Sequence, residues 1–371
     1  MNTNLYVRLF FVILCMLLGF LKKKSKAVFL FEVAMLSLFT GLYNGNIDLY
    51  YYRREYVNNF ISASPFDKMY EYLAIISYKL GMSFSFFHFL ITLISICVFA
   101  YVIKKWSKQP ALCVSLLFGF TTFEYAFQLK AMTSSAVIIL AIYIYFQNIS
   151  SKKRQIIFTF LIFIATGFHF FAIIFLILLL IPYFELRMIK SIICLFAIIG
   201  SIFIPFIMKV LQNIIPDVVV YSRILSVKTF SLSVFWQIAG VIICNYLLHI
   251  RGIREKKYTL KMINNLIEPN GFLIYIGSIL LLVSVPFYWF TNVMLRVPRV
   301  WFVLYSILAS NCKGSLEGGA IYRIRIPNIF KEIFITYNLF SFIAFYILFT
   351  KADLLSSYLA DNIFLNLLFG I

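Results

Sequence analysis

Apolar runs of about 20 residues recur from one end of the chain to the other, with short polar stretches between them. A helix of that length crosses the roughly 30 Å hydrocarbon core of a bilayer. The runs are continuously apolar and lack a strict apolar–polar alternation, which favours α-helices over the strands of a membrane β-barrel. The pattern therefore predicts an all-α fold, a polytopic transmembrane helical bundle with about 11 or 12 membrane segments.

Basic clusters follow many of the apolar runs, and short basic loops mark the cytoplasmic side of a membrane protein. Placing each cluster inside gives a consistent path that begins with the amino terminus outside. The predicted spans are 5–21, 27–42, 84–103, 111–127, 129–146, two short helices within 155–184, 188–211, 232–250, 271–290, 300–310 and 333–350. The stretches 44–83, 212–231 and 291–299 become outer loops, and 351–371 an amphipathic surface helix. No internal repeat is visible, so the chain is predicted to be a single integral membrane domain.

The segment 155–184 lies between two basic clusters and allows two interpretations. One tilted helix would place Arg187 outside. A broken hairpin of two short helices that meet near Gly167 and His169 would keep Arg187 inside. We favour the hairpin, because broken segments at membrane depth are tolerated where they line a cavity.

The composition supports the membrane assignment. Hydrophobic residues make up 63% of the chain and charged residues 13%, whereas soluble domains hold about 25% charged residues. The net charge of +19 would fit nucleic-acid binding. However, most of the basic residues lie in short clusters beside apolar runs, so the charge reflects membrane topology and no nucleic-acid partner is predicted.

Motifs for cofactors and soluble chemistry are missing from the sequence. The six cysteines form no CxxC pair and no cluster with histidine, so neither a metal site nor a disulfide framework is predicted. Gly-rich phosphate loops, GxSxG and HExxH are also absent. We therefore expect no cofactor, and any chemistry is expected at the outer face.

Some basic residues lie on the predicted outer side, against the usual bias. These residues are Arg53, Arg54, Lys68, Lys79, Lys130, Arg223, Lys228, Arg296 and Arg299. Arginine suits bidentate binding of phosphate, so arginines from three outer loops could converge on one anionic headgroup. The alternative is pairing with loop carboxylates. It remains open for 44–83, whose four basic residues are balanced by Asp48, Glu55, Asp67 and Glu71.

Acids and histidines near the membrane are the second group of candidates. Asp48, Glu71 and Glu124 lie at or near the outer face, and Glu32 lies within the second span. An intramembrane carboxylate is a functional candidate by default, and the alternative for Glu32 is capping by a neighbouring Ser or Tyr. His169 falls in the middle of 155–184, where an unpartnered polar group is expensive. His88 and His249 are near span ends and are interpreted as interfacial.

Three stretches of the chain stand out, which are 41–53, 128–136 and Phe168-His169. They resemble the EpsG/Wzy group of O-antigen and exopolysaccharide repeat-unit polymerases. The stretch 41–53 is similar to the group's outer-loop pattern of Arg, Gly, Asp and then Tyr. The stretch 128–136 resembles its Arg-Gln…Ala opening of a span, and Phe168-His169 matches its Phe-His before an apolar run. Tyr43 and Lys130 stand where the group has arginines.

The resemblance implies a membrane glycosyltransferase of the bacterial inner membrane. Its substrate would be an oligosaccharide repeat unit on undecaprenyl pyrophosphate, already flipped to the outer leaflet. The growing chain would move from its lipid carrier to the next lipid-linked unit at the periplasmic face. Membrane lipids, a flippase and a chain-length regulator are the other partners to expect.

The resemblance and the outer-side charges together give each candidate a role. Lys130, Arg223, Arg296 and Arg299 would bind pyrophosphate and stabilise its departure. Arg53 and Arg54 are further candidates for substrate binding, since either could supply the charge of the arginine that the group has in its first outer loop. Asp48, Glu71 or His169 would act catalytically by orienting or deprotonating the acceptor hydroxyl. Tyr51 would offer a surface for sugar stacking.

Other classes of membrane protein remain as alternatives. Another lipid-linked-sugar glycosyltransferase or a ligase needs the same outer cations, usually with a larger outer domain. A flippase or secondary transporter is typically built from repeats with paired broken spans. Here a single break is visible, near Gly167.

Overall fold

The computed structural model describes residues 3–43, 45, 47–58, 67–145, 151–183, 243, 296–311, 328–341 and 361–369. Helices account for nearly all of these residues, and an isolated antiparallel bridge joins Tyr43 to Asn362. The predicted all-α class is confirmed. The number of membrane crossings stays a prediction.

The described helices follow the predicted spans closely in the first half of the chain. The α-helices are α1 (Thr3–Leu21), α2 (Lys26–Gly41), α3 (Ile47–Val57), α4 (Lys68–Lys79), α5 (Phe84–Trp106), α6 (Pro110–Phe127), α7 (Leu129–Tyr145), α8 (Ser151–Phe168), α9 (Arg296–Asn311), α10 (Asn328–Ser341) and α11 (Ile363–Phe369), and a 3-10 helix covers Phe170–Tyr183. The predicted outer loop 44–83 thus contains α3 and α4. The predicted spans 188–211, 232–250 and 271–290 and the loop 212–231 lie outside the described residues.

Among the described helices, α5 is long and apolar enough to cross a membrane, with a mean hydropathy of 2.4. Shorter apolar stretches are Val7–Leu21, Leu129–Tyr145, Phe170–Leu179 and Phe302–Asn311. The start of α5 is fixed by Ser83, whose Oγ accepts the Phe86 N–H at 3.2 Å. Its last turn carries Lys104 and Lys105, which suit the negative end of the helix dipole.

The break predicted in the segment 155–184 is present. Helix α8 ends at Phe168, where the His169 N–H still donates to the Ala165 carbonyl at 2.9 Å, and the 3-10 helix begins at Phe170. The position of the break is therefore confirmed, while the hairpin path stays a prediction.

The chain divides into two compact units. The first comprises 1–173, 306–311 and 331–371, and the second 174–305 and 312–330. The prediction of one integral membrane domain is untested by this division. In the first unit α2 packs against α5 and α6, α5 against α7, and α7 against α8. Phe39 lies in this core, with its ring 6.0 Å from that of Phe118.

Helices α5 and α7 run parallel. The Ser95 hydroxyl donates to Thr133 Oγ1 at 3.2 Å, and further along both helices the rings of Tyr101 and Tyr143 are 5.5 Å apart. Trp106, later still on α5, also contacts Tyr143. The amino-terminal ends of α5 and α7 therefore point in the same direction.

Helices α3 and α4, which we call the cap, pack over that amino-terminal end. The Tyr56 ring of α3 lies 5.6 Å from Phe84 and 5.2 Å from Phe87, and the Tyr70 ring of α4 lies 5.8 Å from Phe87. The Tyr56 hydroxyl donates to the Met82 carbonyl at 2.8 Å. The cap is thus held on α5 by aromatic packing and by a hydrogen bond.

The carboxy-terminal helix α11 completes the end of α2. The last carbonyls of a helix have no partner within it. The Asn362 side chain donates to the Phe39 carbonyl at 2.8 Å, and the Ile363 N–H donates to the Leu42 carbonyl at 2.9 Å. Arg8 of α1 donates to Asn366 Oδ1 at 2.6 Å. Residues near both chain ends therefore meet in the first unit.

Candidate functional site

Lys130 lies in the first turn of α7 and is 8% exposed. A cation at the positive end of a helix is disfavoured, and a buried charge needs partners. Its Nζ is 3.6 Å from Glu55 Oε2 and 3.7 Å from Asp67 Oδ2. Both carboxylates belong to the predicted outer loop 44–83, so this loop supplies the anions that a cation at this position requires.

Two tyrosine rings complete the surroundings of the ammonium group. Lys130 Nζ lies 5.2 Å from the centre of the Tyr52 ring and 4.9 Å from that of Tyr70. Both distances fall within the range of a cation–π interaction. We call Lys130, Glu55, Asp67, Tyr52 and Tyr70 the Lys130 cluster.

The cap positions four members of the Lys130 cluster. Tyr52 and Glu55 are three residues apart on α3 and so share a face. Asp67 is the residue before α4 and has a left-handed backbone with φ 62° and ψ 13°. Such a backbone is uncommon outside glycine and costs on the order of 1–3 kcal/mol. Asp67 reaches Lys130 from this conformation.

The Tyr70 hydroxyl is the least satisfied group of the Lys130 cluster. Tyr70 is 2% exposed, and its hydroxyl oxygen makes no hydrogen bond within the described part of the chain. Burial, together with the neighbouring Tyr52, Glu55 and Tyr56, raises the pKa of Tyr70 well above its ordinary value of 10.0. The group is therefore a neutral phenol beside a carboxylate, able to donate a hydrogen bond to a ligand.

Two of the predicted catalytic residues lie in the cap. Glu71 is buried in α4, next in sequence to Tyr70, and its Oε2 is 3.0 Å from Lys68 Nζ. Asp48 lies in the first turn of α3, where an acid suits the helix dipole.

Arg53, Arg54 and Tyr51 lie on the opposite, exposed side of α3. Tyr51 is 52% exposed, with its ring 6.0 Å from that of Tyr50. The inward side of the same helix carries Tyr52 and Glu55. The structure therefore does not bring Arg53 and Arg54, two of the predicted substrate-binding residues, to Lys130.

The third predicted catalytic residue, His169, occupies the break between α8 and the 3-10 helix and is buried. Its Nδ1 accepts the Phe171 N–H at 3.5 Å, and its ring contacts the Phe170 ring at 5.4 Å. Nearby, a Cβ added to Gly167 would lie 2.9 Å from Met69 Cβ of α4. The broken end of α8 therefore packs closely against the cap.

The remaining predicted cations lie elsewhere in the chain. Arg296 is half-buried at the start of α9, and Arg299 follows one turn later; both belong to the second unit. Arg223 lies outside the described residues. The predicted convergence of arginines from three outer loops therefore stays a prediction.

A family comparison bears directly on these residues. The model of the EpsG family matches residues 26–351, which is most of the chain and includes the whole Lys130 cluster and His169. The chain belongs to the EpsG family. No curated protein and no solved structure shows significant similarity to it.

EpsG membership confirms the resemblance seen in the sequence. It supports a polymerase-type role in polysaccharide biosynthesis, and together with the apolar helices it indicates a membrane protein. Because Lys130, Asp48 and His169 carry that resemblance, the end of the first unit that includes the cap is the best candidate for the site of this EpsG-family chain.

Two buried polar residues in this EpsG-family chain lie beyond the Lys130 cluster. His88 is 1% exposed and stacks on Phe84 at 6.0 Å, because the cap covers the first turns of α5. Its location at the membrane interface stays a prediction. Glu32 is fully buried, and its Oε1 accepts the Ser115 hydroxyl at 2.6 Å and the Gly19 N–H at 2.9 Å. Capping of Glu32 by a neighbouring serine, one of the two interpretations, is thus present for one oxygen.

Proposed function

We propose that this protein polymerises lipid-linked oligosaccharide repeat units of O-antigen, capsule or exopolysaccharide type. It acts at the outer face of the bacterial inner membrane and transfers the growing chain from undecaprenyl pyrophosphate to the next lipid-linked unit. The observation that carries this proposal is the Lys130 cluster, a group of acidic, basic and aromatic side chains inside the region matched by the EpsG family.

The orientation of α5 supports an outer location for the cluster. Helix α5 has Lys104 and Lys105 at one end and the cap at the other. Basic residues beside a span favour the cytoplasmic side, so the cap belongs outside. Because α7 runs parallel to α5, Lys130 belongs outside as well. A substrate whose sugars have already crossed the membrane would meet the cluster there.

The reaction needs two kinds of group at this surface. The acceptor hydroxyl requires a base, and the departing pyrophosphate requires cations. The cap and the broken end of α8 offer Asp48, Glu71 and His169 as candidate bases. Arg53 and Arg54, together with Arg223, Arg296 and Arg299, are the candidate cations, because Lys130 is already paired with Glu55 and Asp67. No cofactor enters this proposal.

The test is surface-glycan chain length in a deletion strain of the host. We expect a single repeat unit without the gene and a full ladder when the wild-type gene is restored. Lys130→Met should collapse the ladder again. The matched control, Lys153→Met, alters an exposed lysine of α8 and should leave the full ladder unchanged.

The other outcomes of this experiment separate the alternative functions. A full ladder in the deletion strain would rule out the polymerase assignment. Loss of even the single unit would favour a flippase or an earlier transfer step. If the deletion strain still makes lipid-linked polymer but does not attach it to its final acceptor, the protein would be a ligase.

A further inference from the structure

The Lys130 cluster contains more acid than base. Glu55 and Asp67 contribute a carboxylate each, and Lys130 contributes the ammonium group between them. An excess of negative charge within the cluster opposes the binding of pyrophosphate. It suits instead a neutral hydroxyl group that has to lose a proton.

Access and hydrogen bonding distinguish Glu55 within the cluster. The Glu55 side chain is 40% exposed, against 10% for Lys130 and 20% for Asp67. Glu55 and Tyr70 meet around Lys130, whose Nζ is 3.6 Å from Glu55 Oε2 and 4.9 Å from the centre of the Tyr70 ring. The buried Tyr70 hydroxyl has no hydrogen-bond partner in the described part of the chain. A buried hydroxyl left without a partner costs about 1–3 kcal/mol, so a ligand oxygen at this point would be stabilised by it.

We propose that Glu55 is a catalytic residue of the glycosyl transfer, which accepts the proton of the acceptor sugar hydroxyl while Tyr70 donates a hydrogen bond to the same oxygen. Lys130 and Asp67 are positioning residues that hold Glu55 and the cap in place. This inference rests on the proposed polymerase function and names the acceptor site within it.

In the proposed glycosyl transfer one bond forms and one bond breaks at the anomeric carbon. The acceptor oxygen forms a bond to the anomeric carbon of the donor chain, and the bond from that carbon to the pyrophosphate oxygen breaks. The electron pair of the broken bond leaves with the pyrophosphate. The acceptor proton moves to Glu55 and then to outside water, which restores the carboxylate. The cluster thus serves the acceptor, and cations elsewhere on the outer side serve the pyrophosphate.

The direct test is Glu55→Gln, which keeps the size of the side chain but removes the base. Lipid extract of the deletion strain, which holds the unpolymerised lipid-linked units, serves as substrate for the solubilised full-length protein. A positioned base contributes about 100-fold or more, so the turnover rate should fall by at least about 100-fold. The matched control is Glu332→Gln, an exposed acid of α10, which should keep the wild-type rate.

A structural role for Glu55 is distinguished by exchanging the charges. Glu55→Lys and Lys130→Glu keep an ion pair at this position but remove the base from residue 55. Asp67→Asn is combined with them, because Asp67 lies 3.7 Å from Lys130 Nζ and would otherwise face a second carboxylate. We expect the exchanged protein to reach the membrane at wild-type abundance and to remain inactive. Restored polymerisation in the exchanged protein would show that the pair only fastens the cap, and would overturn the inference.

Tyr70→Phe provides a second measurement that does not depend on the ion pair. Removal of the hydroxyl should reduce the turnover rate by about tenfold, the worth of one hydrogen bond to the reacting oxygen. If the Glu55→Gln protein fails to accumulate, the Tyr70→Phe measurement tests the inference in its place. A wild-type turnover rate for Tyr70→Phe would then overturn the inference.

Failure of the inference is distinguishable from failure of the proposed function. If the deletion strain keeps its glycan ladder, the protein is not the polymerase and the proposed function itself is wrong. If the deletion strain loses its ladder and the Glu55→Gln gene restores the ladder in full, the polymerase function stands and only the catalytic role of Glu55 is wrong.

Discussion

The Ser115 hydroxyl donates a 2.6 Å hydrogen bond to Glu32 Oε1, which joins α6 to α2 in the interior of the first unit. Both side chains are fully buried, so loss of the donor leaves a carboxyl oxygen with fewer partners. We expect Ser115→Ala to lower the free energy of unfolding by about 1–3 kcal/mol. Thermal unfolding of the detergent-solubilised protein measures this. An unchanged unfolding temperature would contradict the role of this bond.

Gly19 of α1 should tolerate no side chain. A Cβ at this position would collide with Ser115 Oγ and with Glu32 Oε1, so the glycine allows three helices to meet around one carboxylate. Gly19→Ala should therefore destabilise the protein by about 1–3 kcal/mol or more. Gly81→Ala is the comparison, because nothing lies within 4 Å of its added Cβ and only its φ of 75° opposes alanine. Its cost should stay near 1 kcal/mol. Equal effects in the two variants would contradict the crowding at Gly19.

Stability should fall at alkaline pH, partly through Tyr70. Burial raises the pKa of Tyr70 above 10.0 in the folded protein, so the unfolded chain loses this proton first as the pH rises. The stabilisation is complete below about pH 10 and declines above it, by up to about 1.4 kcal/mol per pH unit for one group. Tyr70→Phe should show a shallower decline between about pH 9.5 and pH 11 when unfolding temperatures are compared. An equal decline of unfolding temperature with pH in both proteins would argue against a raised pKa of Tyr70.

The orientation of the cap can be measured with introduced cysteines in a cysteine-free background. Val57 is 54% exposed at the end of α3, and Lys153 is exposed near the start of α8. With the cap outside, Val57→Cys should react with a membrane-impermeant maleimide in intact cells. Lys153→Cys should react only after the membrane is permeabilised. The reverse pattern would invert the proposed topology and remove the outer location of the Lys130 cluster.

The sequence predicted the helices of the first unit well because their limits are set by local signals. Ser83 caps α5, Lys104 and Lys105 mark its other end, and Gly167 and His169 mark the break after α8. In such segments the length of the apolar run is enough to define the helix.

The candidate site was predicted only in part, because its contacts depend on how the cap folds. Lys130 was selected as an outer cation, but Glu55 and Asp67 were recognised only as loop acids that could balance charge. The consecutive residues Tyr50, Tyr51 and Tyr52 place similar side chains all around α3, so its sequence does not show which face turns inward. The packing of Tyr56 on α5 makes that choice, and it brings Glu55 to Lys130.

The contact between α11 and α2 has a consequence for biogenesis. During synthesis α1 and α2 are made more than 300 residues before Asn362 and Asn366. Until then the Phe39 carbonyl and the Arg8 guanidinium lack the hydrogen bonds of 2.8 Å and 2.6 Å that these asparagines supply. The packing of α1 and α2 is therefore finished only after α11 has been synthesised.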